Sequence, residues 1–121
     1  MDDELLLRYS RQILLPEVDI NGQNKLARSH VVIMGLGGLG SPIAMYLAAA
    51  GVWQITLVDH DVVELSNLQR QIIHSTEDLG RKKVKSAGNQ IHSLNPNTKV
   101  NLVNEKLDES GFDSLFPNVD A

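Results

Sequence analysis

The sequence predicts an α/β fold: a Rossmann-like, doubly wound, mostly parallel sheet preceded by N-terminal helices. Three observations carry this. Short β-branched apolar runs alternate with helix-length segments, a Gly-x-Gly-x-x-Gly turn joins the first run to the helix after it, and an aspartate ends the second run. The order strand, helix, strand, helix, strand builds a parallel sheet with right-handed crossovers.

Asp3 to Leu15 reads as a helix, with Leu6, Tyr9 or Ser10, and Ile13 on one face, an acidic first turn, and Pro16 as its stop. A loop around Asn21 and Gly22 should lead into a short helical piece ending near Ser29. His30-Val-Val-Ile-Met34 is too short for a helix and rich in β-branched residues, so it reads as a buried strand. After Gly38, Leu39, Ile43, Leu47 and Ala50 recur at helical spacing, with Pro42 tolerable in the first turn and Gly51 as the stop. Gln54 to Val58 is the second strand. Arg81 to Leu94 is helical and closes at Asn95-Pro96, Thr98 to Val103 is the third strand, and Asp108 to Phe116 is a last helix whose Phe112 and Phe116 should serve the core. Val119-Asp120-Ala121 looks like the opening of a fourth strand, so a fragment of a longer protein is expected, truncated near that strand. The expected organisation is an N-terminal helical segment, 1–29, and an incomplete nucleotide-binding domain, 30–121, folded as a single domain.

At 121 residues with 42% hydrophobic content the chain suits one small globular domain. No apolar run reaches the roughly 20 residues that span a bilayer, and the Met-Asp-Asp-Glu start is acidic where a secretory signal is basic, so a cytoplasmic protein without membrane contact is expected. Without cysteine there is no thiolate nucleophile or thiolate metal site, and the net charge of -4 gives no reason to expect nucleic acid. His30, His60, His74 and His92 are not spaced like a metal site and read as surface or packing residues, with His74 alone near the site described next.

The glycine turn is Gly35-Leu-Gly-Gly-Leu-Gly40. Gly35 permits the tight turn, Gly37 and Gly38 let the backbone approach a phosphate, Gly40 allows close helix packing, and the helix start offers free N–H groups to the anion. Asp59, nineteen residues after Gly40, is placed to accept hydrogen bonds from ribose hydroxyls. Asp61 could reach a phosphate-bound Mg²⁺ or simply be solvated. An NAD enzyme would be served equally well so far. Ser66, Asn67, Gln69, Arg70 and Gln71 tilt the reading towards ATP, because they put amide and guanidinium groups where reacting phosphates would lie. Lys83 could stabilise charge on a phosphoryl group under attack, whereas Lys82 and Lys85 read as a solvated helix face. An NAD- or FAD-binding oxidoreductase and a non-catalytic nucleotide-sensing dimer remain the alternatives.

These motifs resemble the adenylating enzymes of the ubiquitin-activating superfamily, in particular the bacterial branch that activates the sulfur carriers of molybdopterin and thiamine synthesis. The matching pieces are Arg8-Tyr-Ser-Arg-Gln-Ile13, Gly35-Leu-Gly-Gly-Leu-Gly40, Leu57-Val-Asp-His-Asp61, Ser66-Asn-Leu-Gln-Arg-Gln71, Gly80-Arg-Lys-Lys-Val84 and Leu94-Asn-Pro96, in the family's order and spacing. The resemblance implies ATP-dependent adenylylation of the C-terminal glycine of a ubiquitin-like carrier, with Gly38 at the phosphates, Asp59 at the ribose, and Ser66, Asn67, Arg70 and Lys83 around the triphosphate. It also implies a homodimer in which Arg11, carried on the N-terminal arm, enters the second subunit's active site. The family's Mg²⁺-binding aspartate, its partner surface and its cysteine zinc site lie downstream of these residues, so the 121 residues alone are expected to bind nucleotide with little or no adenylation.

Overall fold

The structure, a computed structural model, describes residues 1–121. Strands β1 (His30–Met34), β2 (Gln54–Val58) and β3 (Lys99–Val103) form a parallel sheet in the order β1-β2-β3. His30 aligns with Gln54 and Gln54 with Lys99, which puts Ile33, Ile55 and Leu57 on one face. Helix α4 (Gly40–Ala50) connects β1 to β2, and α5 (Lys83–Leu94) connects β2 to β3. Their small residues let both lie close to that face: Ala44, Ala48, Val84, Ala87 and Ile91 complete a buried core with the strand residues. A Cβ on Gly88 would stand 3.1 Å from Leu102, which measures how closely α5 approaches β3.

Beyond β3, helix α6 (Glu109–Leu115) leads the chain back across the sheet. Asp120 N–H donates to the His30 carbonyl at 2.9 Å and Val32 N–H to the Ala121 carbonyl at 2.8 Å, so residues 119–121 run along the free edge of β1. The spatial order is therefore β3, β2, β1, then 119–121. The order in which segments join the sheet reverses beside β1, and the crevice outside the carboxyl ends of the strands at such a switch is where doubly wound folds bind ligands.

Five local expectations need correction. The helix expected over Asp3 to Leu15 breaks at Tyr9 into α1 (Asp3–Arg8) and α2 (Ser10–Ile13). Tyr9 leaves helical geometry because its ring is buried and its hydroxyl accepts a 2.8 Å hydrogen bond from Asn95 Nδ2. Asn21 and Gly22 lie inside helix α3 (Asp19–Leu26) rather than in a loop, since the Asp19 carboxylate accepts from both of their N–H groups. Arg81 and Lys82 precede α5: Lys82 bridges antiparallel to Val62, and Val63 N–H donates to the Arg81 carbonyl. Strand β3 starts after Thr98, whose hydroxyl donates to the Val52 carbonyl at 3.0 Å. Phe112 and Phe116 pack on each other, ring centres 5.3 Å apart, outside the main core; Asp108 caps α6 through Gly111 N–H.

The N-terminal segment is fastened to the end of α4. Gln12 and Gln23 both donate to the Ala50 carbonyl, at 3.0 and 2.9 Å, and Asn95 donates to Ala48 at 2.8 Å, so side chains satisfy carbonyls that a helix end leaves open. Gly51 terminates α4 at φ 99°, and a Cβ there would lie 2.6 Å from Gln23 Nε2. No helix is long and apolar enough to cross a membrane.

Candidate functional site

The site is built on the turn between β1 and α4. Gly35 adopts φ 92°, and a Cβ on Gly40 would fall 1.9 Å from the Gly35 carbonyl oxygen, so the turn closes on itself only with glycine there. The N–H groups of Gly37, Gly38, Leu39 and Gly40 make no hydrogen bond within the chain. Four consecutive free donors at the positive end of an 11-residue helix form a cradle for an anion.

Asp59 directly follows β2 and is 9% exposed. Its Oδ2 accepts from Leu36 N–H and its Oδ1 from Asp61 N–H, both at 2.8 Å. The carboxylate thus ties the glycine turn to the segment after β2. Each oxygen keeps a second lone pair for a hydroxyl. A cleft of about 320 Å³ opens beside it, lined by Met34, Gly35 and Val58 on one side and by Glu105, Lys106 and Leu107 on the other.

A second cleft, about 160 Å³, is lined by Asp61, Val62, Glu64, Asn67 and Lys83, and Asp61 borders both. Lys83 opens α5, with its N–H on the Asp61 carbonyl at 3.0 Å. It is 7% exposed, yet its ammonium has no ion pair in the chain. The unpaired ammonium borders this cleft, where an incoming anion would pair with it.

Between the clefts, the 3₁₀ turn Leu65–Asn67 and the residues after it fold over the glycine turn. The Arg70 stem lies 3.9 Å from where a Gly38 Cβ would stand, and the Gln71 amide nitrogen 3.9 Å from that of Gly37. Arg70 itself is exposed and donates to the Ser66 carbonyl at 3.1 Å. Asn67 uses Oδ1 to accept from Glu64 N–H at 2.9 Å and so orients the loop, with its amide NH₂ still available. The structure therefore brings together Gly35, Gly37, Gly38, Gly40, Asp59, Asp61, Asn67, Arg70 and Lys83. Ser66 enters through its carbonyl, and its side chain lines neither cleft. Arg11, exposed on α2, lines neither cleft of its own chain.

Two buried groups have surroundings that the sequence reading, with Gln71 in the polar run and His74 as a surface or packing residue near the site, does not anticipate. Gln71 is 4% exposed and its Oε1 has no partner, the one such side-chain atom in the chain. His74, 5% exposed, places Nδ1 2.7 Å from Ser86 Oγ and Nε2 3.3 Å from the Leu36 carbonyl oxygen. Burial, reinforced by the Lys83 charge, holds the imidazole below its ordinary pKa against the opposing pull of the Leu36 carbonyl, Asp78 and Asp59. Spacing gave no signal for either role, although His74 follows the polar run closely. Asp59, His60 and Asp61 bring three ligand atoms within 4.8 Å of one another; both Asp59 oxygens already accept N–H groups, and the exposed Asp61 carboxylate, 3.5 Å from His60 Nε2 through Oδ1, keeps Oδ2 as an oxygen donor for a cation.

Residues 9–121 match the sequence pattern of the ThiF family. The chain belongs to the ThiF family. This ThiF-family chain is 48% identical over 114 residues to the molybdopterin-synthase adenylyltransferase of Haemophilus influenzae, covering 94% of the chain and 47% of that protein. It is 49% identical over 107 residues to the sulfur carrier protein ThiS adenylyltransferase of Escherichia coli, covering 88% of the chain and 43% of that protein. Among solved structures, E. coli MccB with ATP superposes with a TM-score of 0.84 at 31% identity, covering 93% of this chain and 35% of that one. The chain thus spans about half the length of the curated relatives it matches.

Proposed function

We propose that this chain is the ATP-binding part of an adenylyltransferase that activates the C-terminal carboxylate of a ubiquitin-like sulfur carrier in molybdopterin or thiamine synthesis. The observation that carries the reading is the run of four free N–H groups from Gly37 to Gly40 beside the polar segment of Asn67 and Arg70, with the unpaired Lys83 lining the adjoining cleft. That donor set suits a triphosphate. The names of the two adenylyltransferase relatives, and the ATP in the MccB structure, support ATP over a redox dinucleotide.

In this mechanism the loop N–H groups and Arg70 hold phosphate oxygens, the second lone pairs of Asp59 take ribose hydroxyls, and the cleft walls of Met34, Val58 and Leu107 exclude water from the nucleoside. A carrier carboxylate oxygen bonds to the α-phosphorus, the bond from that phosphorus to the bridging oxygen breaks, and pyrophosphate leaves with the electron pair. Lys83 neutralises the charge that builds on the α-phosphoryl oxygens. Mg²⁺, bound through Asp61 and ligands outside these residues, would offset charge on the departing pyrophosphate.

The reading extends to a homodimer in which Arg11 serves the partner's site. ATP–pyrophosphate exchange by the full-length protein, with and without a purified carrier, tests the activity: carrier-dependent exchange is expected, and tighter binding of NADH than of ATP would overturn the reading. Mixing inactive Arg11→Ala and Lys83→Ala proteins tests the composite site, since a shared site recovers exchange and a self-contained one does not.

A further inference from the structure

We propose that His74 is a positioning residue of this site: its ring holds the Leu36 carbonyl and thereby aims the Gly37 N–H, the first of the four free donors, at the bound phosphate. The proposal rests on the reading of the glycine turn as a nucleotide site.

The reasoning starts from one peptide unit. The Leu36 C=O and the Gly37 N–H belong to the same planar trans peptide, so they point in opposite directions, and fixing one fixes the other. The Leu36 carbonyl lies 3.3 Å from His74 Nε2 and accepts from the Ser41 hydroxyl at 3.2 Å. On its other side Leu36 donates its N–H to Asp59 Oδ2 at 2.8 Å. Leu36 and Ser41 are both fully buried, so no water competes for these groups. The peptide is pinned inward by its carbonyl, and the Gly37 N–H is left facing away from the pins, without a partner.

The ring's own orientation is equally determined. A carbonyl oxygen only accepts, so Nε2 must carry the proton. Nδ1 of the neutral ring then accepts, and the Ser86 hydroxyl at 2.7 Å donates to it. Ser86 sits one turn after Lys83 on α5. His74 therefore spans the glycine turn and the helix that carries Lys83, two parts of the site remote from each other in sequence. Desolvation and the adjacent Lys83 keep the ring neutral, the form this geometry requires.

The test uses the full-length protein and measures ATP dissociation constants by calorimetry alongside exchange kinetics. His74→Ala should weaken ATP binding about tenfold and raise KM with a smaller change in kcat. His74→Gln, whose amide nitrogen reaches the Nε2 position, should return affinity to within about threefold of the parent. His74→Asn, which mimics only the Nδ1 side, should behave like His74→Ala. Should His74→Ala fail to fold, the Gln and Asn variants and Ser86→Ala still decide. ATP affinities within about twofold of the parent in folded His74→Asn and Ser86→Ala would overturn the proposal, as would equal weakening by Gln and Asn. The ¹⁵N shifts of the His74 ring in nucleotide-free protein supply an ATP-independent readout: an Nε2–H tautomer is expected, and an Nδ1–H tautomer overturns the clamp. A parent protein that shows this tautomer but binds no ATP would sink the nucleotide reading instead.

Discussion

Lys83→Met separates function from stability in one substitution. Lys83 is 7% exposed as a whole residue, but its ammonium makes no ion pair in the chain and borders the second cleft, so in the free protein its charge faces that cleft rather than a partner group. Methionine keeps much of the apolar stem and removes the charge. The unfolding free energy of the nucleotide-free protein should therefore change by no more than about 1 kcal/mol, since no intramolecular ion pair is lost. ATP binding should fall. A charge-assisted contact to phosphate is worth about 1.5–3 kcal/mol, which is roughly a 10- to 150-fold loss of affinity. Denaturant titration of the free full-length protein gives the first quantity and calorimetry with ATP the second. A variant that unfolds more easily while binding ATP like the parent would refute the reasoning, because Lys83 would then be a structural cation.

Three further outcomes follow from the geometry. Gly40→Ala places a Cβ 1.9 Å from the Gly35 carbonyl oxygen, so the turn must open; a loss of about 1–3 kcal/mol or more in denaturant titration, with loss of ATP binding, is expected. Tyr9→Phe removes the acceptor of one Asn95 amide hydrogen in a fully buried site and should cost about 1–3 kcal/mol while leaving ATP affinity unchanged, as measured by thermal melting and calorimetry. Stability should fall as pH drops below 6.5, because the unfolded chain protonates His74 at its ordinary pKa before the folded chain does. The slope from this group is at most about 1.4 kcal/mol per pH unit, and denaturant midpoints at pH 7.5 and 5.5 should differ less in His74→Gln than in the parent. The Asp78 carboxyl adds to this fall at lower pH: burial is outweighed by the hydrogen bonds from the Ser75 N–H and hydroxyl and by Arg81, so it is held below 3.8 and its stabilisation is lost as pH falls through the folded value.

Much of the fold was legible because its signals are local. His30–Met34 and Gln54–Val58 appear as strands at the expected residues, since a run of β-branched and apolar side chains between turn signals states its own conformation. The glycine turn was legible for the same reason: Gly35 and Gly40 answer steric demands made within six residues. Tyr9 was misread because the force that takes it out of the helix is Asn95, far along the chain. Asn21 and Gly22 were misread because turn-forming residues were weighed without the Asp19 carboxylate that draws their N–H groups into a helix. In the site, Asp59 and Lys83 were named from motif position, but the N–H bonds that engage Asp59 and the missing partner of Lys83 could not be.

By itself, then, the sequence determined the alternation of strands and helices, the glycine turn and the aspartate that follows β2, each set by steric and periodic constraints among neighbouring residues. Tertiary structure alone decided how those parts act together. It engaged the Asp59 carboxylate with Leu36 and Asp61, left the Lys83 ammonium unpaired beside the second cleft, seated Gln12 and Gln23 on the end of α4, and laid His74 between the glycine turn and Ser86. Each of these pairs a donor with an acceptor, or denies it one, across the folded chain, and the spacing of residues along a sequence carries no record of which distant groups will share the same desolvated space.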